Sequence, residues 1–266
     1  MSSVEHTPAA PGVALPRLGP RHLAGIAASL IAGAVVWTVG LPADRTVFDT
    51  ALSDLTVPSA LFVAFAGIVL VGTVTARSTW PVVDIVVASV LGVVGGFYFW
   101  GVAVSWAPLT GWLSFYPPAS AVFAGLWLLP GVLGGLVIRR PGAAVFVELL
   151  AAVLEALLGN QWGFSTVWYG LLEGLGAEVV LAVLLYRAWG LAPAMLAGAG
   201  AGATVGLLDT LVYYPDFSAA YRGAYLALAV TSGAVIAGIG AWALTRALAG
   251  TGALAPLASG RSAKRV

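Results

Sequence analysis

Long apolar runs alternate with short polar or Pro- and Gly-containing breaks over most of this sequence. Each run is about as long as the ~20 residues that a helix needs to cross a bilayer. The pattern therefore predicts an all-α integral membrane protein with eight transmembrane helices. Six of the predicted spans cover residues 22–41, 57–76, 82–106, 119–138, 191–212 and 221–248, and the two arms of segment 147–189 supply the fifth and sixth.

Composition agrees with a membrane protein that crosses the bilayer several times. Of the 266 residues, 60% are hydrophobic and only 9% are charged, which excludes an ordinary soluble domain. The net charge of +1 gives no indication of nucleic-acid binding. The sequence contains no cysteine, so disulfides, thiolate nucleophiles and cysteine-ligated metals are excluded.

The two ends of the chain differ from the apolar runs. Residues 1–21 are rich in Pro, Ala and Gly without helical periodicity, which predicts a disordered tail. Residues 250–266 are predicted to form a basic C-terminal tail.

The basic residues predict an orientation. Eight spans place both termini on one side of the membrane, and the positive-inside rule makes that side cytoplasmic. The turn GNQWGFS and segment 107–118 then face outwards, on the side that carries only Arg45 and Arg222. The basic residues on the cytoplasmic side are Arg17, Arg21, Arg77, Arg139, Arg140, Arg187, Arg246, Arg261, Lys264 and Arg265.

Four glutamates interrupt the apolar sequence of segment 147–189. Its arms flank the breaker-rich sequence GNQWGFS, which predicts a transmembrane helical hairpin. Glu155 and Glu173 fall in the half nearer the turn, and Glu148 and Glu178 fall in the other half. An ionisable side chain at membrane depth costs about 3 kcal/mol to insert, so four of them indicate a polar site. The alternative is that the glutamates are protonated and hydrogen-bond neighbouring helices.

Aromatic and amide side chains accompany the glutamates near the turn. They are the groups that an organic ligand with a flat ring would need. Segment 107–118 is too short and Pro-rich to cross the membrane, and its aromatic residues Trp112 and Tyr116 are predicted to close over the site as a lid. The groups near the turn are Asn160, Gln161, Trp162, Trp168 and Tyr169.

Small residues recur at every fourth position in two predicted spans. Such spacing permits close contact between helices. In the seventh span, at Gly198, Gly202 and Gly206, packing within the chain is the simpler explanation. In the third span the choice between internal packing and an external partner stays open; its small residues are Ala88, Gly92 and Gly96.

The sequence lacks several catalytic motifs. It has no G-x-x-x-x-G-K-[ST] phosphate loop, and Lys264 is its only lysine, so ATP-driven transport would need a partner to hydrolyse ATP. His6 and His22 lie before or at the start of the first span, which excludes a zinc site or a serine–histidine pair inside the bundle. Asp84 and Asp209 could form an aspartyl dyad only by default, and helix capping explains Asp84 better. We therefore predict no enzyme, no cofactor and no metal site.

Three blocks of this sequence resemble the YkoE-like S-components of energy-coupling-factor (ECF) vitamin transporters. In order, they are WPVVDIVVASVLGVVGGFYFW, VELLAAVLEALLGNQWG and GLLEGLGAEVVLAVLLYRAWG. The resemblance implies a six-helix substrate-binding S-component domain over residues 80–249, in the plasma membrane, that captures thiamine or its hydroxymethylpyrimidine precursor at the outer face. It also implies docking on an ECF transmembrane coupling subunit that carries ATPase subunits, with Ala88, Gly92 and Gly96 at the contact. Residues 22–77 are two extra N-terminal helices without a recognised counterpart.

The residues near the turn suit thiamine chemically. Its thiazolium is permanently charged, so Glu155 or Glu173 can stay ionised against it. Trp162 or Trp168 can stack on its rings or form a cation–π contact. Asn160 and Gln161 can donate to and accept from its polar edge. The predicted substrate-binding residues are Glu155, Asn160, Gln161, Trp162, Trp168, Tyr169, Glu173, Glu178, Trp112 and Tyr116.

Two other functions stay open at this point. In a proton-coupled secondary carrier of a small cationic metabolite, the two tiers of glutamates would relay protons, although no inverted repeat is evident. In a non-catalytic assembly subunit, the glutamates would only fasten the bundle.

Overall fold

The computed structural model describes residues 18–40, 46–47, 50–51, 56–76 and 79–263. Nearly all of these residues are helical, which confirms the all-α class. Seven helical runs in this part of the chain have at least 18 residues and are apolar enough to cross a membrane. Most of the predicted N-terminal tail, much of the polar loop near Asp44 and the last three residues lie outside the described residues.

The helices follow one another with short connections. Two-residue strands β1 (Thr46–Val47) and β2 (Thr50–Ala51) pair in antiparallel fashion between the first two helices. Short 3₁₀ helices cover Gly111–Leu113 and Pro117–Phe123, and a π-helical segment covers Gly233–Ile239. The α-helices are α1 (Pro20–Val39), α2 (Thr56–Ala76), α3 (Val82–Thr110), α4 (Ala124–Trp127), α5 (Leu129–Ile138), α6 (Ala143–Leu158), α7 (Ser165–Val183), α8 (Leu191–Val212), α9 (Ala219–Ser232), α10 (Gly240–Gly250) and α11 (Ala258–Ala263).

The segment with four glutamates folds as an antiparallel pair of helices, α6 and α7. Gly159 ends α6 at φ 90°, a backbone conformation that suits glycine because it has no Cβ. The two helices approach closely, because a Cβ on Gly170 would lie 2.4 Å from the Cβ of Ala152. α6 has 16 residues and is not among the seven long runs.

The predicted fourth span, residues 119–138, is broken inside the bundle. A 3₁₀ helix leads into the single turn of α4, and Leu128 separates α4 from α5. Pro130 contributes to this break because it has no N–H to donate to the preceding turn. Trp127, the last residue of α4, lies directly before the break.

The small-residue positions lie at internal helix contacts. In α8, a Cβ on Gly198 would lie 2.1 Å from the carbonyl oxygen of Gly233, which agrees with packing within the chain. In α3, Ala88 is fully buried, and α6 covers Gly92 and Gly96 through Leu150 and Leu154. The family resemblance implies a contact with the coupling subunit at these α3 positions, whereas in this structure Gly92 and Gly96 face α6.

The two N-terminal helices pack on one side of the bundle. A Cβ on Gly72 of α2 would lie 2.7 Å from the Cβ of Ala182 in α7. α1 packs against α2, where Nε2 of His22 lies 3.1 Å from Oγ1 of Thr75. The pair thus forms an additional layer outside α7.

The described part of the predicted C-terminal tail is folded against the bundle. Leu254 and Leu257 are buried, and Ser259 donates its hydroxyl to the carbonyl of Val137 at 2.7 Å. The apolar stretch here is too short to show helical periodicity in the sequence.

Candidate ligand-binding site

A cavity of about 350 Å³ lies inside the bundle, beside the turn that joins α6 and α7. This volume is within the range of small-molecule sites. Six helices contribute to its lining: α3, α4, α6, α7, α8 and α9. The lining residues are Phe99, Trp106, Ala124, Trp127, Ala152, Glu155, Trp162, Thr166, Tyr169, Gly170, Glu173, Val205, Asp209, Tyr213, Tyr214 and Tyr225.

Three acidic side chains face this cavity, one from each of three neighbouring helices. Glu155 and Asp209 lie near the C-terminal ends of α6 and α8, and Glu173 comes from α7, which runs antiparallel to α6. Glu155 is fully buried and Glu173 is 5% exposed. The packing of α6, α7 and α8 therefore brings together carboxyl groups that are up to 54 positions apart in the sequence.

The hydrogen bonds of these carboxyl groups leave acceptor oxygens open. Oε1 of Glu155 accepts from Nδ2 of Asn160 at 2.9 Å, whereas its Oε2 is buried and has no partner among the described residues. Asp209 accepts from the hydroxyl of Tyr225 at 2.5 Å. The cavity thus presents partly unsatisfied acceptors, which suit a ligand that donates hydrogen bonds or carries positive charge.

Asn160 builds the turn and holds Glu155, and it does not line the cavity. Its Oδ1 accepts from the backbone N–H groups of Trp162 and Gly163 at 2.8 and 2.7 Å. Its Nδ2 donates to Glu155 and to the hydroxyl of Thr166. Because both amide hydrogens are used, Asn160 orients a cavity carboxylate and has no hydrogen left for a ligand.

Tryptophan side chains form one wall of the cavity. Trp127 and Trp162 meet edge to face, with ring centroids 5.3 Å apart and ring planes at 88°. Trp106 lies 6.0 Å from each of them, and Phe99 contacts Trp127 at 5.4 Å. Sequence analysis identified only Trp162, because the other three come from helices distant in sequence.

Tyrosine side chains form a second aromatic part of the lining, here called the tyrosine wall. Tyr169 and Tyr213 stack with centroids 5.5 Å apart, and Tyr214 lies 5.4 Å from Tyr225. Tyr213 and Tyr214 follow the end of α8, and burial raises the pKa of both hydroxyls. These phenols therefore stay protonated at neutral pH and can donate hydrogen bonds.

Six of the ten predicted binding residues lie outside the cavity lining: Asn160, Glu178 and the four described here. Gln161 is exposed on the turn, and Trp168 and Trp112 are 41% and 64% exposed. Tyr116 packs edge to face on Tyr221 with centroids 5.4 Å apart. Their sequence positions near the turn and in segment 107–118 do not bring their side chains to the lining.

The carboxyl groups of the other two glutamates, Glu148 and Glu178, accept hydrogen bonds at the N-terminal ends of neighbouring helices. Glu178 accepts from the N–H groups of Gly142, Ala144 and Val145 at 2.7, 2.8 and 3.4 Å, at the first turn of α6. Glu148 accepts from the N–H of Gly131 in the first turn of α5 at 2.5 Å. Neither residue lines the cavity, and both satisfy backbone donors that have no intrahelical partner.

Acidic side chains line the cavity without basic ones beside them among the described residues. Its lining includes Glu155, Glu173 and Asp209, and no Arg, Lys or His among the described residues lines it. Asp209 was not predicted as a ligand contact. A single carboxyl group in an otherwise apolar span was the only signal for it.

A multi-helix membrane bundle with an acidic and aromatic cavity among its helices is the architecture of a membrane protein that binds a small molecule. Comparisons with known proteins agree. The chain is 34% identical over 188 residues to the "Putative HMP/thiamine permease protein YkoE" of Bacillus subtilis (strain 168), covering 70% of this chain and 94% of that protein. A solved structure, "Crystal structure of an S-component of ECF transporter", matches with a TM-score of 0.67 and 34% identity over the same shares of the two chains.

A family model described as "ABC-type cobalt transport system, permease component" matches residues 83–205. The chain belongs to the YkoE-like S-components of ECF transporters. This membership confirms the resemblance of the three sequence blocks, and makes the protein a membrane transport subunit rather than an enzyme.

Proposed function

We propose that this S-component captures thiamine or its hydroxymethylpyrimidine precursor in the cavity beside the α6–α7 turn. The observation that carries the proposal is the lining itself: three carboxyl groups, two aromatic walls and no cationic side chain among the described residues. A permanently cationic, two-ring ligand complements each of these features. The description of the YkoE relative as an HMP/thiamine permease also supports this ligand class.

Glu155 and the tryptophan wall receive the thiazolium ring in this proposal. Asn160 holds Oε1 of Glu155, and Oε2 is left to face the positive ring. Trp127 and Trp162 supply aromatic faces, and a cation–π contact at such a desolvated site contributes about 2 kcal/mol. The thiazolium can form an ion pair here without taking up a proton, because its quaternary nitrogen is charged throughout the physiological pH range.

Glu173, Asp209 and the tyrosine wall receive the aminopyrimidine. The exocyclic amino group donates to carboxyl oxygens, while the hydroxyls of Tyr169 and Tyr214 donate to the ring nitrogens. Tyr225 donates its hydroxyl to Oδ2 of Asp209 and so orients this carboxyl group. The precursor lacks the thiazolium, so in this proposal it binds only at this end of the cavity.

Import also requires partners. We propose that the chain docks on an ECF transmembrane coupling subunit, with ATPase subunits hydrolysing ATP, since the sequence has no phosphate loop of its own. We further propose that α6 completes eight spans, with both termini on the cytoplasmic side of the plasma membrane. The cavity then opens to the outer face. α1 and α2 are extra helices packed on α7 in this scheme.

Calorimetric titration of the purified full chain with thiamine and with hydroxymethylpyrimidine tests the proposal. We expect micromolar or tighter binding of at least one of the two, with quenching of intrinsic tryptophan fluorescence. Pyrithiamine, in which a pyridinium replaces the thiazolium, is a cationic control that we expect to bind as well.

Absence of heat and of quenching with all three compounds would contradict the proposed ligand class. Proton-driven uptake by this chain alone in liposomes would instead support a secondary carrier.

A further inference from the structure

Glu148 lies at the break between α4 and α5 and makes an unusual hydrogen bond there. In an uninterrupted α-helix, the N–H of Gly131 would donate to the carbonyl of Trp127, four residues earlier. In this structure, the N–H of Gly131 donates instead to Oε2 of Glu148 on α6 at 2.5 Å. The carboxyl group therefore replaces the carbonyl of Trp127 as the acceptor.

The surroundings of Glu148 are shaped to hold its carboxyl group at this break. A Cβ on Gly131 would lie 2.7 Å from Oε2 of Glu148, and a Cβ on Gly174 would lie 3.0 Å from the Cβ of Glu148. Glu148 is 1% exposed, and its Oε1 has no hydrogen-bond partner among the described residues. Glycine is thus present on both sides of a buried acidic side chain that does not face the cavity.

Trp127 connects the break to the cavity. It is the last residue of α4, and its ring contacts Phe99, Trp106 and Trp162 in the tryptophan wall. Trp127 directly precedes Leu128, which separates α4 from α5. Its carbonyl is the acceptor that the N–H of Gly131 would use in a continuous helix, and Glu148 takes that place.

We propose that Glu148 is a positioning residue, which holds Trp127 in the ligand cavity by accepting the N–H of Gly131 at the α4–α5 break. The carboxyl group itself touches no ligand. The proposal rests on the proposed function only where ligand affinity is concerned. The position of Trp127 in the unliganded protein is a separate and measurable property.

The test compares near-ultraviolet circular dichroism of the unliganded full chain with its affinity for thiamine. A Trp127→Phe variant first identifies the spectral contribution of Trp127 and its coupling to Trp162. We expect Glu148→Ala to lose that contribution and to weaken thiamine binding at least tenfold. Glu148→Gln keeps an acceptor oxygen for Gly131, so we expect it to retain the spectrum and an affinity within threefold of the wild type.

Two further variants keep the test decisive if Glu148→Ala does not fold. Gly131→Ala leaves the carboxyl group in the chain but displaces it from the break, so we expect the same spectral loss. Glu178→Ala removes the comparable helix-end carboxyl group of α6, and we expect lower thermal stability with an unchanged tryptophan spectrum.

Two outcomes would overturn the proposal. One is a wild-type tryptophan spectrum in both Glu148→Ala and Gly131→Ala. The other is a Glu148→Gln variant as impaired as Glu148→Ala. If only the ligand assignment is wrong, the wild type will not bind thiamine, but the spectral differences between the variants will remain.

Discussion

The acidic residues inside this bundle divide into two groups with different partners. Glu148 and Glu178 accept hydrogen bonds from backbone N–H groups at the starts of α5 and α6. Glu155, Glu173 and Asp209 face a cavity, and Oε2 of Glu155 is buried with no partner in the described part of the chain. In the first group the carboxyl groups thus satisfy backbone N–H donors at helix ends. In the second group they are available to a ligand.

The comparison shows why membrane depth alone does not identify a binding site. In the bilayer core, an unpaired N–H at a helix end costs several kcal/mol, and a carboxyl oxygen from another helix satisfies it as well as a local cap does. A buried acid is therefore a ligand candidate only when the backbone does not already use it.

Removing the Glu178 carboxyl group has the largest expected effect, and it falls on stability. Glu178→Ala leaves three N–H groups at the start of α6 without acceptors. We expect the free energy of unfolding to fall by about 3 kcal/mol or more. Thermal unfolding in detergent measures this, and Glu178→Gln, which keeps one acceptor oxygen, should lose less. A large loss of thiamine affinity at preserved stability would place Glu178 in the other group.

Neutralising Glu155 tests the proposed ion pair with the thiazolium. Glu155→Gln preserves shape but removes the charge, so we expect thiamine affinity to fall by about 2 kcal/mol, roughly 30-fold. Hydroxymethylpyrimidine, which has no thiazolium, should lose less than about threefold by the same arithmetic. Calorimetry with both ligands checks this, and equal losses would contradict the assignment.

Neutralising Asp209 should affect both ligands, because both contain the aminopyrimidine. Asp209→Asn keeps an oxygen for the hydroxyl of Tyr225 but weakens the acceptor for the amino group. We expect about a tenfold loss for each ligand, or about 1.4 kcal/mol. Tyr225→Phe is the matched control, because it removes the hydroxyl that donates to Asp209 but keeps the carboxyl group. A loss of affinity for thiamine alone would contradict the proposed orientation of the ligand and indicate that Asp209 faces the thiazolium.

Shortening one member of the tryptophan wall should produce a smaller effect. Trp162→Phe keeps an aromatic face but removes most of the edge-to-face contact with Trp127. We expect about a fivefold weaker thiamine affinity, since such a contact contributes about 1 kcal/mol. Fluorescence quenching by thiamine should decrease in parallel. Unchanged affinity and quenching would show that the ligand does not use this wall.

The smallest effects are expected at the exposed tryptophans. Trp112 and Trp168 are 64% and 41% exposed and do not line the cavity. We expect Trp112→Phe and Trp168→Phe to change thiamine affinity less than about twofold, an energy below about 0.4 kcal/mol. A substantial loss at Trp112 would indicate that the segment after α3 closes over bound ligand, as the sequence suggests.

Much of the fold could be predicted because bilayer insertion imposes long apolar runs. The helical hairpin at GNQWGFS was predicted from two glycines and an asparagine, and the structure ends α6 at Gly159 with Asn160 in the turn. The break at Leu128 was missed, because residues 119–138 are apolar on both sides of it. At this break the N–H of Gly131 donates to Glu148, which is 17 positions away, and no local sequence pattern reveals such a contact.

The candidate site was predicted less completely. Glu155, Trp162, Tyr169 and Glu173 line the cavity, because they lie on the α6–α7 pair that the sequence identified. Trp106, Trp127 and Asp209 were missed, because they come from other helices. At Gly92 and Gly96 the sequence left open whether the close contact is internal or with a partner, and in this structure α6 covers both positions through Leu150 and Leu154.

The amino-acid sequence alone was enough to recognise the membrane class, most of the helical segments, the absence of an ATP-binding motif and the concentration of acids in one hairpin. These properties follow from local composition, because the bilayer requires each span to be apolar and to satisfy its own backbone. The packing of the helices determines which acids accept hydrogen bonds at helix ends and which face the cavity. That division depends on how the helices are rotated and packed against one another, and contacts between helices distant in the sequence set it.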